Sequence, residues 1–225
     1  ASGMAAGFLN AVSGGGAMLT LPVLIFIGVP PAVANGTNRL AVVFQSLTAL
    51  AAYRKLDNTD SKLALFLAFP AGLGSVCGSW VSVRLEDSTF QTMLAWMMMA
   101  LIFPVLFEAQ LHHRLVRYHD TARGKKLLQT VFFCIGLYGG LLQIGAGIFI
   151  LVALSTLGGL GLVLANGVKV VIVLCLTSIA LFLFILEGKI DWQIGILLSL
   201  STSLGAWIGA HLGVSKGQNW IRRVV

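Results

Sequence analysis

Two cations stand inside long apolar stretches, each a few residues after an amide. Arg39 closes the run Asn35-Gly36-Thr37-Asn38-Arg39, and Lys169 closes Asn166-Gly167-Val168-Lys169. A charge in such a stretch is expensive and usually faces a cavity or a partner. Upstream of each cation a small-residue cluster interrupts the apolar sequence: Ser13-Gly14-Gly15-Gly16 before the first, Gln143-Ile144-Gly145-Ala146-Gly147 before the second. Gly costs about 1 kcal/mol relative to Ala within a helix, so three in a row read as a break. A helix broken at membrane depth exposes backbone N–H groups at the start of its second half, and these attract anions. Donors beside full positive charge are what an anion leaving water requires, because its lost hydration must be replaced. Arg39 adds a planar fork suited to two oxyanion oxygens. The candidate substrate-binding set is Ser13, Gly14, Gly15, Gly16, Asn35, Thr37, Asn38, Arg39, Gln143, Gly145, Gly147, Asn166 and Lys169.

Each of these residues has a plainer reading beside it. Glycines in apolar helices also permit close packing, and a cation near a helix end can snorkel to the interface. The amides and Thr37 can cap helices instead of holding a ligand. Asn10, a turn before the first break, and Gln45, two turns beyond Asn38, are weaker candidates. His211, between small residues, reads as a partnered structural histidine more readily than as a proton carrier. Asp60 and Asp191 each open a segment after a loop, as N-caps do. Cys77, Cys134 and Cys175 lie in apolar sequence without CxxC spacing and read as buried side chains. No catalytic residue, metal ligand or cofactor is expected.

Composition sets the elements that must carry these residues. The chain of 225 residues is 57% hydrophobic and only 10% charged, against about 25% charged in soluble domains. Several apolar runs reach the roughly 17–25 residues that cross a bilayer. The expected fold class is all-α: a polytopic helical membrane bundle with the lipid bilayer as its surroundings. The net charge of +7 sits mostly in short inter-helix loops, so nucleic acid is not an expected partner. The first apolar segment lacks a basic flank, so it is not read as a cleavable signal.

The two clusters are copies. Gly14, Gly16, Gly28, Ala34, Asn35 and Gly36 fall on Gly145, Gly147, Gly159, Ala165, Asn166 and Gly167, an offset of 131 residues. The register continues through Asp60/Asp191, Gly74/Gly205, Gly78/Gly209 and Val83/Val214. A fixed offset over so long a stretch indicates internal duplication. The expected organisation is a first repeat over 1–108 with four spans, a basic cytoplasmic linker over 109–126, and a second repeat over 127–225. Spans are expected at Ala1–Ile27 (broken at Ser13–Gly16), Ala34–Tyr53, Leu63–Val83 and Thr89–Phe107. They continue at Leu127–Leu157 (broken at Gly145–Gly147), Leu162–Leu186 and Trp192–Val214. The register places an eighth near Ile221, which is expected to be missing from this chain; sequence upstream of Ala1 is expected as well. Gly74-Ser75-Val76-Cys77-Gly78 and Gly205-Ala206-Trp207-Ile208-Gly209 read as close-packing faces.

With the start of the first span cytoplasmic, inside loops hold Arg54, Lys55, Lys62, Arg114, Arg117, Arg123, Lys125, Lys126 and Lys189. Outside loops then hold Arg84, Lys216, Arg222 and Arg223, a nine-to-four bias in favour of this orientation. Four spans per half make the repeats parallel, both entering from the same side. A re-entrant hairpin at a glycine break would change that parity.

The SGGG of the first span, the entry GVPPAVANGTNRLA, its echo LANGVKV and the ending GAWIGAHLGVSKGQNWIR resemble the sulfite exporter TauE/SafE family, also called the 4-toluene sulfonate uptake permease family. The resemblance covers essentially the whole chain. It implies a multi-pass protein of the bacterial cytoplasmic (inner) membrane that moves sulfite, organosulfonates or related anions by secondary transport. One departure from internal symmetry stands out: Lys169 comes one position early, on the register of Asn38.

A permease for small anions is therefore the expected function, with another organic anion or small solute as the alternative cargo. An intramembrane enzyme would need a nucleophile–base or metal constellation, and no HExxH or paired intramembrane carboxylates occur. A purely structural membrane protein would leave the paired breaks and cations unexplained. The expected partners are a small anionic substrate and, as an option, a second copy of the chain.

Overall fold

A computed structural model describes residues 2–55, 60–111 and 122–224. All of the regular structure among them is helical: α1 Ser2–Val12, α2 Ala17–Phe26, α3 Pro31–Lys55, α4 Ser61–Ser82, α5 Asp87–Leu111, α6 Ala122–Leu141, α7 Ala146–Thr156, α8 Leu162–Leu186 and α9 Trp192–Val224. Three of them, Ser61–Ser82, Leu162–Leu186 and Trp192–Gly217, are each long and apolar enough to cross a membrane. Gly217, at φ 74° and ψ −172°, interrupts α9 before helix resumes toward Val224. Expected and observed helices agree to within about five residues, except that α9, expected to end at Val214, continues past a kink to Val224. Segment 112–121, with its Arg114 and Arg117, lies outside the described residues.

Local chemistry accounts for the helix ends. Pro31 opens α3, where a missing N–H costs nothing. The Asp60 carboxylate accepts from the Lys62 and Leu63 backbone N–H groups at 3.1 and 3.0 Å, and Asp191 accepts from Ile194 N–H at 3.0 Å. Both aspartates are N-caps. His211 is held by the Trp207 carbonyl at 3.0 Å and leans on the Trp207 ring, as a structural histidine would be. Cys77 and Cys134 are exposed on the bundle surface and Cys175 is partly covered, so the expectation of buried cysteines fails; these helix faces carry apolar side chains outward.

The expected parallel arrangement also fails. Thr37 Oγ1, near the start of α3, accepts a hydrogen bond from the backbone N–H of Asp191 at 2.9 Å. Arg84, just past α4, pairs with Glu187, just past α8, at 3.8 Å. Asp87 accepts from Ala32 N–H at 3.1 Å. The α2–α3, α4–α5 and α8–α9 turns therefore share one face of the bundle. In the expected topology the first two lay outside and the third inside.

The reason is that the broken spans do not cross; they turn back. Thr20 of α2 bonds Asn38 of α3 at 2.6 Å across the short Gly28–Pro30 turn, so α2 runs against α3. Helix α1 instead runs alongside α9 in the direction of α3: a side chain at Gly205 would meet Phe8, and one at Gly3 would meet Ser201. So α1 and α2 form a hairpin. Helix α6 runs alongside α4, with Gly136 opposite Ala71 and Gly140 opposite Ser75 and Ser79, while α7 runs back toward the Leu162 end of α8. At the tips, Gly14 (φ 89°), Gln143 (φ 62°) and Gly145 (φ 66°) adopt the left-handed geometry that reverses the chain. The α1–α2 hairpin opens toward the face of the Gly28–Pro31 turn, and the α6–α7 hairpin opens toward the opposite face. Each half thereby gains one reversal, and the halves run with opposite sense.

The close-packing glycines act where expected but between halves. At Gly74 a Cβ would lie 2.6 Å from Leu137 N on α6; at its register partner Gly205 it would lie 2.8 Å from Phe8 N on α1. Helices α4 and α9 thus each press on the broken helix of the other repeat.

The correction strengthens the charge asymmetry. Arg54, Lys62, Arg123, Lys125, Lys126 and Lys216 now share one face, against Arg84 and Lys189 on the other. The positive-inside rule assigns the first face to the cytoplasm. With the native cysteines replaced, a membrane-impermeant thiol reagent added outside intact cells should label Lys189→Cys and Arg84→Cys but not Lys62→Cys. Protection of Lys189→Cys together with Lys62→Cys would restore the parallel arrangement.

Candidate functional site

A helix that ends inside a membrane leaves its last four carbonyls without intrahelical donors and without water. The fold answers this at both broken helices, and the answer uses the residues singled out in the sequence. At the end of α6, Tyr138 O accepts from Leu142 N–H at 2.9 Å. The Arg39 guanidinium donates to Gly139 O at 3.2 Å and to Gly140 O at 2.5 Å, and lies 4.7 Å over the Phe184 ring. Leu141 O accepts from Asn35 Nδ2 at 3.2 Å and from Ser82 Oγ at 2.7 Å. All four carbonyls are satisfied.

The end of α1 is held at Leu9, Asn10 and Ala11, with the other half supplying Lys169. Leu9 O accepts from the backbone N–H of Ser13 at 2.7 Å and from Ser13 Oγ at 2.9 Å. The Lys169 ammonium donates to Asn10 O at 3.0 Å, to Ala11 O at 3.4 Å and to Asn166 Oδ1 at 2.5 Å. Tyr53 Oη reaches Ala11 O at 3.2 Å. The exchange is reciprocal: the first half's cation caps the second half's broken helix, and the second half's cation caps the first's. Cations at helix C-termini also meet the negative end of the helix dipole. Arg39 and Lys169 are 0% and 1% exposed, so neither snorkels.

The two helix starts that follow the breaks meet in the middle of the bundle. Gly14 and Gly147 touch backbone to backbone; a Cβ on either would lie 2.6 Å from the Cα of the other. Beside this crossing is a cavity of about 10 Å³ lined by Asn10, Gly14, Gln143, Gly147, Val173 and Thr177 among others. A second cavity of about 10 Å³, lined by Asn10, Gln45, Ser46, Ala49, Lys169 and Val173 among others, adjoins it. Each has room for about one water. Gln143 Nε2 donates to Thr177 Oγ1 at 3.2 Å, while its buried Oε1 has no partner among the described residues. Buried polar atoms left without partners call for an explanation, and here Asn38 Nδ2, Asn166 Nδ2, Arg39 Nε and Asn35 Oδ1 join Gln143 Oε1.

The remaining candidates divide by position. Gly15 packs near Ile148 at the crossing, and Gly16 backs onto Ala6 and Asn10. Gly145 caps α7 in left-handed geometry. Thr37 faces away, toward the α8–α9 turn, and Asn38 Oδ1 is taken by Thr20. The break before α7 comes earlier than Gly147, which lies inside the helix, and the Tyr138 hydroxyl ties it by donating to Ile144 O. Sequence reading missed Thr20, Ser46, Tyr53, Ser82 and Thr177. Ser46 and Thr177 are register partners, a signal that was present and unused.

The profile of the family described as sulfite exporter TauE/SafE matches residues 1–225. The chain belongs to this family. It is 30% identical over 230 residues to the probable membrane transporter protein YfcA of Escherichia coli K12, covering 99% of this chain and 82% of that one. A probable membrane transporter protein of Haemophilus influenzae is 29% identical over 99% of this chain and 87% of its own length. A further probable membrane transporter protein, ORF9 of a Sinorhizobium species, is 27% identical over 96% and 82%. No solved structure matches the chain. TauE/SafE proteins are membrane transporters, and the helical bundle described above fits that membership.

Removing one capping cation leaves buried carbonyls open, which costs about 1.5–3 kcal/mol for hydrogen bonds to a charged group. Arg39→Ala should lose about that much unfolding free energy in mixed micelles, and Arg39→Lys should recover part of it. An unchanged unfolding midpoint in Arg39→Ala would show that the guanidinium does not cap α6.

Proposed function

We propose that the chain is a secondary permease of a bacterial cytoplasmic membrane for small oxyanions of the sulfite or organosulfonate class, binding them where the two hairpins cross. The carrying observation is the meeting of the α2 and α7 starts at Gly14 and Gly147 beside the buried Gln143 amide, whose Nε2 is a donor. Two helix N-termini aimed at one place supply positive potential and backbone donors without a mobile side chain. Polar irregular backbone at that depth is tolerated only inside protein or along a wet path, and two water-sized cavities lie beside the crossing. The family description names sulfite export, and the named relatives are probable transporters. No chemical conversion of the solute is part of this reading.

In this reading Gly14, Gly15, Gly147 and Gln143 contact the anion, with Asn10 and Thr177 beside them. Arg39 and Asn35 hold α6 in place instead of touching the solute. Purified protein in liposomes should move sulfite or methanesulfonate unchanged down an imposed gradient. Thr177→Val keeps the shape of the side chain and removes the partner of Gln143. It should lower flux at least tenfold in protein that remains monodisperse, while Lys126→Ala, on the basic face, should not. Equal flux in Thr177→Val and the parent would move the site elsewhere, and absence of flux in the parent for both anions would remove the substrate class.

A further inference from the structure

Resting on that reading, we propose that Lys169 is a latch whose ammonium exchanges a helix end for the transported anion, opening the bundle toward the basic face. In the closed form its three N–H donors have three acceptors: Asn10 O, Ala11 O and Asn166 Oδ1. Two of these belong to the tip of the α1–α2 hairpin, so the side chain fastens that tip to α8. Lys169 also lines the cavity shared with Asn10, Gln45 and Ser46, which adjoins the crossing of the hairpins. An anion moving from the crossing into this cavity meets an ammonium held by neutral oxygens. Charge-assisted bonds to an anion are roughly twice as strong as those to neutral groups. The ammonium turns to the anion; Asn10 O loses its cap and Ala11 O keeps the Tyr53 hydroxyl alone. Gln45, buried and lining this cavity, supplies a further contact. Released carbonyls are tolerated once water follows the anion in, which ties tip movement to the presence of cargo.

Arg39 is the contrasting case, and the one-position offset between the two cations separates them. Arg39 spans two consecutive glycine carbonyls, stacks on Phe184 and lines neither cavity. It is a fixed bolt on α6. Lys169, one register position earlier, is the cation that faces open volume. The two hairpins are therefore unequal: α1–α2 moves toward the basic face, and α6–α7 stays pinned.

The test uses the full chain in liposomes, with Cys77, Cys134 and Cys175 replaced and Ser46→Cys as reporter in the Lys169 cavity. A membrane-impermeant thiosulfonate reagent is added on the basic face. Without anion, Lys169→Met should label at least tenfold faster than the parent, Lys169→Arg should label like the parent, and Asn166→Ala should fall between. Methanesulfonate should accelerate labelling in the parent and have no effect in Lys169→Met. If Lys169→Met is not recovered folded, Asn166→Ala carries the comparison, and its labelling at the parent rate overturns the latch. Protection of the reporter thiol in Lys169→Met equal to that in the parent also overturns it. Fast labelling in Lys169→Met with no methanesulfonate effect in a parent that transports methanesulfonate overturns the exchange. A parent without flux refutes the transport reading, and the anion exchange with it, while the anion-free arm still decides whether Lys169 fastens the tip.

Discussion

Backbone carbonyls at the end of each interrupted helix, buried inside the bundle, are the demand the rest of the structure answers. A break in a membrane helix is useful because it turns donors toward the interior, but each start comes with an end. Groups from other helices meet these ends: Arg39, Asn35 and Ser82 at the end of α6, Lys169 and Tyr53 at the Asn10 and Ala11 carbonyls of α1. The bonds of Arg39, Asn35, Ser82 and Lys169 also join the two halves of the chain. Stability, the joining of halves and the creation of a polar centre are consequences of one hydrogen-bonding requirement.

Close approach is the second consequence. For a cation on α3 to reach α6 carbonyls, and one on α8 to reach α1, broken and unbroken helices must pack at backbone distance. Glycines at 74, 140 and 205 give that distance, and at the crossing Gly14 and Gly147 leave no space for a side chain. A large side chain at any of them would displace the caps. The glycine content of the chain is thus a condition for placing cations at helix ends, and less a matter of flexible backbone.

Much of this could be read from the sequence, and what could not has a physical reason. The breaks at Gly14 and Gly145, the span Leu162–Leu186 and the caps Asp60 and Asp191 follow from local propensity and periodicity, which residues near in sequence decide. The candidate set did contain Arg39, Lys169, Asn35 and Gln143, because buried charge and amides in apolar sequence always need a partner. What those partners are is a long-range fact: Arg39 meets carbonyls a hundred residues away, and sequence chemistry alone reads a guanidinium as a ligand for an anion. The direction of the chain after a glycine break was equally hidden. Gly14 at φ 89° turns the chain back and the same residue in helical geometry would not, yet the composition is identical in both cases. That single ambiguity reversed the parity of each half and misplaced Lys189 and Lys216.

The central claim is that two oppositely directed hairpins meet at Gly14 and Gly147 to form the anion site. A crystal structure of the protein grown with selenite, a heavier relative of sulfite, tests it most directly through the anomalous signal of selenium. The account predicts a peak between the starts of α2 and α7, within hydrogen-bonding distance of their backbone N–H groups and of Gln143. A peak bound instead to the Arg39 guanidinium, with the α6 carbonyls released, would contradict it.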